Sequence, residues 1–262
     1  MFTHFIFWPW FTGLAFLAAG VFAVRKEFAA AHGLDKLIAL GRVFYAAPLA
    51  VFGAEHMVGA QFMQGMVPSW MPAHLFWVYF VGAALIAAAI SLITMKFVRW
   101  SATLLAVMFF LFVVMLHLPN AVANPRDRFA WTVVVREIAF AAGAFAFAGR
   151  QRESPHAVKP NWMVLTGRLL IALIVIFYSV EQFIHPEFGP GVPLPKLTPA
   201  WMPLHAWWGY LAGAVLLVAG VCLLINKKSR AAAAWIGLVM TLLTVVLYSP
   251  LLALAQEPSQ MT

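Results

Sequence analysis

The chain has 262 residues, 64 % of them hydrophobic and only 10 % charged, against roughly 25 % charged in a soluble globular domain. Seventeen Lys and Arg against nine Asp and Glu give a net charge of +8, and Cys222 is the single cysteine. This composition excludes a soluble enzyme and a disulfide-stapled secreted domain, and one thiol excludes dithiol chemistry carried by this chain alone.

Apolar runs of the length that crosses a bilayer, about 20 residues, recur over 5–23, 43–62, 74–95, 101–119, 130–149, 163–184, 205–225 and 232–252. The first has no basic residue ahead of it, and Arg25 and Lys26 follow it. It therefore reads as a retained helix with an exterior N-terminus rather than a cleaved signal. Further along, Lys36 and Arg42 precede the second run, Lys96 and Arg99 follow the third, and Arg150, Arg152, Lys159 and Arg168 lie around the fifth-to-sixth connection. Lys227, Lys228 and Arg230 follow the seventh. Thirteen of the seventeen basic residues thus fall in alternate connections, the pattern of cytoplasmic loops. The positive charge reads as topology, with both termini exterior, and no nucleic-acid partner is implied. The expected fold is all-α: a polytopic integral membrane protein of eight transmembrane helices.

The chain also repeats itself. "VPSWMPAHLFWVYFVGA" from Val67 returns as "TPAWMPLHAWWGYLAGA" from Thr198. Trp70, Met71, Pro72, His74, Trp77, Tyr79 and Gly82 match Trp201, Met202, Pro203, His205, Trp208, Tyr210 and Gly213 at an offset of 131. Lys96, Arg99 and Pro119 match Lys227, Arg230 and Pro250 at the same offset. Gly41, Arg42 and Glu55 match Gly167, Arg168 and Glu181 at 126, and "HPEFGPGVPLPKL" carries the five extra residues. Two repeated four-helix bundles follow, 1–129 and 130–262 by helix count. A unit begun at Gly41 is complete by about Arg150, whereas one begun at Gly167 has only three helices. Helix 1 has the orientation of the missing fourth and is expected to pack with helices 6 to 8.

A unit that opens with Gly-Arg, carries a late Glu in its first helix, then "WMPAH", and ends its third helix on His-Pro resembles the DoxX-like membrane proteins. The resemblance covers 41–150 well and 167–255 more loosely. It implies quinone-linked redox work in the bacterial cytoplasmic (inner) membrane, with periplasmic termini. It also implies other membrane or redox subunits as partners, because the redox subunit is often a separate chain.

Ionisable groups inside a span are costly and are functional candidates by default. The first unit holds Glu55, His56, His117, Arg136 and Glu137, with His74 at the mouth of the third span. Glu55 and Glu137 each lie about seven residues in from a helix end, roughly 10 Å deep, and His117 within roughly 5 Å of the surface. As a quinone site, Glu55, His56, His117 and Glu137 would hydrogen-bond the ring oxygens and move protons. His56, His117, His74, Arg136, Trp70 and Trp77 would hold the ring, with Phe52 beside them. Two His and two Glu could instead take a metal, but no His-x-x-x-His or Glu-x-x-His pair lies within the spans, so no metal ligands are assigned. A buried polar network that only fixes helix packing is the third reading, and bis-His haem a fourth. The second copy keeps Glu181 but replaces His56 by Gln182 and His117 by Tyr248, and it reads as mainly structural. The connections 63–73 and 185–204 read either as lids or as an aromatic belt. The leading expectation is a quinone-dependent oxidoreductase subunit with its pocket in the outer leaflet of the first bundle. A non-catalytic scaffold subunit is the alternative, and a transporter the third.

Overall fold

The computed structural model describes residues 2–151, 161–189 and 202–248. They form eight long helices: α1 (Phe2–Ala30), α2 (Asp35–Val58), α3 (His74–Thr94), α4 (Val98–Ala123), α5 (Arg128–Arg150), α6 (Trp162–Ile184), α7 (His205–Leu224) and α8 (Ser229–Leu242). All eight are long and apolar enough to cross a membrane. Large apolar side chains in mid-helix remain exposed, Phe22 to 65 % and Leu104 to 66 %, as a lipid-facing surface requires. The protein is an all-α polytopic membrane protein. The connection 190–201, which holds most of the second candidate lid, lies outside the described residues.

α2 starts eight residues before the apolar run at 43, because its first two turns carry Asp35, Lys36 and Arg42. Long basic side chains can extend from a helix end to water while their stems lie along apolar surface. Near its far end α4 opens into a π turn over Val113–His117, in which the Leu118 N–H donates to the Val113 carbonyl. Pro119 is the reason: it has no N–H to offer, and its ring crowds the carbonyl four residues back. α8 does the same over Leu243–Tyr248, just before Pro250.

Two compact units result, the first from 1–125 and 137–167, the second from 126–136 and from 168 onward. α5 and α6 each contribute to both. The core of the first unit joins Leu49, Leu85, Leu92, Leu105 and Phe109 with Ala141, Ala144 and Ala148 of α5. The second unit gathers Ala172, Ala219, Leu223 and Ala232.

One sequence expectation is corrected here. α1 belongs to the first unit, packed along α2 with lighter contact to α3. A Cβ on Gly13 would stand 2.6 Å from Val51 Cγ2, and one on Gly20 2.6 Å from Val43 Cγ1. The two glycines let α2 lie close, and only residues 31–34 separate the helices. So short a link favours an antiparallel hairpin over a distant partner. The second unit takes the first turns of α5 and the two residues ahead of them instead, Arg126–Arg136.

The repeat is visible within each unit. Among the described residues six non-glycine positions have positive φ, and they form three pairs at offset 131: Ala73 with Leu204, Met95 with Asn226, Phe97 with Lys228. The Trp77 indole N–H donates to the Pro72 carbonyl at 3.0 Å, and that of Trp208 to the Pro203 carbonyl at 2.9 Å. Gly82 faces Gly53, His56 and Met57, while Gly213 faces Ser179, Gln182 and Phe183. The two offsets read from the sequence therefore meet in the same helix–helix contact twice.

Candidate functional site

In the first unit the site is built on the crossing of α2 with the later part of α5. The Tyr45 hydroxyl donates to the Phe140 carbonyl, and the Tyr45 ring lies 5.4 Å from that of Phe147. Two turns further along α2, Phe52 meets Phe140 edge-on at 5.8 Å, and Phe140 stacks on Phe109 of α4 at 5.2 Å. The helices run antiparallel, since advancing from Tyr45 to Phe52 moves the contact back along α5. Glu55 and His56 lie three and four residues beyond Phe52, and Glu137 three before Phe140. At about 1.5 Å per residue, both carboxylates stand roughly 4.5 Å from the Phe52–Phe140 contact, toward the same end of the unit. Each keeps to the face of its phenylalanine, because residues three or four apart are neighbours on a helix.

His56 is half-buried and its Nδ1 lies 2.7 Å from the Phe52 carbonyl. A carbonyl only accepts, so Nδ1 carries the hydrogen and a neutral ring presents Nε2 as an acceptor. On the other side, a Cβ placed on Gly82 would stand 2.9 Å from the His56 Cβ, so α3 passes close to α2 at the base of the His56 side chain. Glu137 is buried and sits within electrostatic reach of Tyr45. Glu55 is half-buried, and no described residue of its own unit forms an ion pair with its carboxylate.

Other candidates stand farther away. His117 closes the π turn eight residues beyond Phe109, about 12 Å along the helix and so roughly 7 Å beyond the carboxylate layer. His74 is the first residue of α3 and Trp77 lies in its first turn, eight and five residues before Gly82. Trp77 packs with Phe76 and Phe80, and Trp70 is 72 % exposed in the connection ahead of α3. These residues form a rim. The rings that lie against the layer are Phe52, Phe109 and Phe140. Arg136, half-buried, belongs to the second unit. Among the described residues no three His, Cys, Asp or Glu come together in a way that could hold a metal ion.

The second unit contains a polar cluster that the sequence reading did not anticipate. Arg128 Nε and Nη2 donate to Glu181 Oε2 at 3.1 and 2.9 Å, and the guanidinium lies 4.8 Å from the centre of the Phe188 ring. Gln182 is fully buried, with its Nε2 3.3 Å from the Phe188 carbonyl. His185 Nδ1 lies 3.6 Å from Glu187 Oε1. Gln182 and Arg128 together clamp the chain where it leaves α6. Arg128 falls two residues before the apolar run that marked helix 5, and no short motif links it to a glutamate 53 positions away. The repeat was the available signal: Glu181 is the counterpart of Glu55, and a half-buried carboxylate at a helix end favours a cation beside it.

Fold and site define the class: a polytopic all-α membrane protein with carboxylates and an imidazole set in a layer above stacked phenyl rings. The profile of a family described as "Domain of unknown function (DUF8561)" matches residues 45–117. That stretch carries Glu55, His56, Trp70, His74, Trp77 and His117. No curated protein and no solved structure matches the chain.

Proposed function

We propose that the chain is the membrane subunit of a quinone-linked redox system, with the quinone ring held in the first unit beside His56 and Glu137. The observation that carries this reading is the His56 ring. Its Nδ1–H is committed to the Phe52 carbonyl, so Nε2 is the atom left to meet a ring oxygen. The chemistry such a ring supplies is the transfer of two electrons with two protons. The residues fit that task. His56 Nε2 accepts the hydrogen of a ring hydroxyl. The Glu137 carboxylate holds a proton within the unit, and Glu55, half-buried on the same layer, passes protons toward the aqueous end. Phe52, Phe109 and Phe140 exclude water and offer flat apolar surface.

The resemblance to DoxX-like proteins supports the same reading, as does the absence from the sequence of any nucleotide-binding loop. Electrons are delivered or removed by another subunit. The distribution of basic residues supports a bacterial cytoplasmic membrane location, with the termini periplasmic and the site in the outer leaflet.

The test is titration of the detergent-solubilised protein with a short-chain ubiquinone analogue, read by quenching of Trp fluorescence. The reading expects saturable quenching by the native chain and at least about tenfold weaker binding by His56→Phe, which keeps the ring volume but loses Nε2. Linear, unsaturable quenching in both proteins would show mere partitioning and favour the scaffold reading.

A further inference from the structure

The repeat places an arginine at the same position of both units, Arg42 on α2 and Arg168 on α6, and the two are treated differently. Arg42 Nη2 meets Glu27 Oε1 at 2.8 Å, with 14 % of its side chain exposed. Each guanidinium keeps one buried N–H without an acceptor, Nε in Arg42 and Nη1 in Arg168, but no described carboxylate meets Arg168 at all. A buried guanidinium N–H left without an acceptor is costly, more so than a neutral donor. Unit one shows what this position takes, an anionic oxygen.

The surroundings of Arg168 point the same way. Ala172, one turn along α6, packs against α7 at Gly220, whose added Cβ would stand 3.2 Å from the Ala172 carbonyl. The helices are antiparallel, so Arg168 stands level with Leu224, where α7 passes through Asn226, Lys227 and Lys228 into α8. Lys227 and Lys228 are exposed. The described acids of this unit, Asp127, Glu181 and Glu187, all belong to the opposite end, around the start of α5 and the end of α6. Arg168, Lys227 and Lys228 thus share one rim with no described carboxylate of their unit. Basic residues at a membrane surface attract anionic headgroups, and a guanidinium matches phosphate oxygens in geometry as well as charge.

We propose that Arg168, with Lys227 and Lys228 beside it, binds a phosphate group at this rim, supplied by the headgroup of an anionic phospholipid. The rival occupant is Glu153, which precedes Arg168 by the same fifteen residues that separate Glu27 from Arg42 and lies outside the described residues. The inference is independent of the quinone reading, since it concerns other residues in the other unit.

The experiment is native mass spectrometry of the full-length delipidated protein, given phosphatidylglycerol or phosphatidylcholine, with and without inorganic phosphate. The expected result is retention of phosphatidylglycerol over phosphatidylcholine. Arg168→Gln should reduce it about tenfold, as for loss of a charge-assisted hydrogen bond, and Arg168→Lys should restore part of it. The paired Lys227→Gln and Lys228→Gln variant, altered only at exposed positions, should also lose retention even if Arg168→Gln fails to fold. Equal retention of the two lipids would overturn the proposal. So would stabilisation by inorganic phosphate without lipid preference, which would make free phosphate the ligand. A preference that emerges only in Glu153→Gln would identify that carboxylate as the native occupant and likewise overturn it.

Discussion

Gly82 and Gly213 occupy the same place in the two units, yet alanine should be refused at one and accepted at the other. At Gly82 the added Cβ would stand 2.9 Å from His56 Cβ, 3.0 Å from Met57 Cε and 3.1 Å from the Gly53 carbonyl oxygen. Met57 can swing its methyl aside, but the other two atoms are backbone or fixed to it, so α2 and α3 must separate. At Gly213 the nearest atoms are at 3.4, 3.4 and 3.5 Å, ordinary contact distances. Overpacking costs about 1–3 kcal/mol, and alanine in place of glycine inside a helix returns about 1 kcal/mol. Gly82→Ala should therefore lose up to about 2 kcal/mol, while Gly213→Ala should be neutral or gain up to about 1 kcal/mol. Thermal unfolding in one detergent, followed by near-ultraviolet circular dichroism, would place the two Tm changes on opposite sides of the native value. Because Gly82 bears on His56, its variant should also bind the quinone analogue more weakly. Equal shifts for both variants, or a more stable Gly82→Ala, would refute the reasoning from helix separation.

The remaining predictions concern single contacts. In a double-mutant cycle of Arg128→Met and Glu181→Gln, the coupling should be about 0.5–3 kcal/mol, with each single change worse than the pair because it strands a partly buried charge; additive losses would remove the ion pair from the account. His117→Tyr should fold normally, since Tyr248 closes the matching π turn, and should weaken quinone binding less than His56→Phe does. In a Cys222→Ser background, a cysteine at position 65 should react with an impermeant maleimide in intact cells and one at position 228 should not; the reverse would invert the topology.

The eight helices were legible because a bilayer demands about 20 apolar residues per crossing, a signal few soluble segments imitate. The repeat was legible for another reason. The opening Gly-Arg, "WMP" with its following His, and the late Pro recur at fixed spacing, and Ala73 and Leu204 take the same left-handed conformation. What escaped was lateral: which helix lies beside which. Counting orientations allowed α1 to complete the second bundle, but orientation does not choose among neighbours, and the small faces of Gly13 and Gly20 against Val51 and Val43 do. The site was legible in part. Glu55, His56 and Glu137 stood out as ionisable groups at matching depth, and depth survives any rotation of the helices about their axes. Of the rings that line their layer only Phe52 stood out. Phe109 and Phe140 are two of 23 phenylalanines, and nothing in their spacing marks them as stacked, whereas the more conspicuous Trp70 faces outward.

The central claim is that the first unit holds a quinone through His56 and Glu137. Solvent extraction of the purified protein, with chromatographic and mass identification of what is released, tests it most directly. The account predicts a quinone at near one per chain from the native protein and little from a folded His56→Phe or Glu137→Gln variant. A native protein that releases no quinone, or variants that release as much as the native chain, would contradict it.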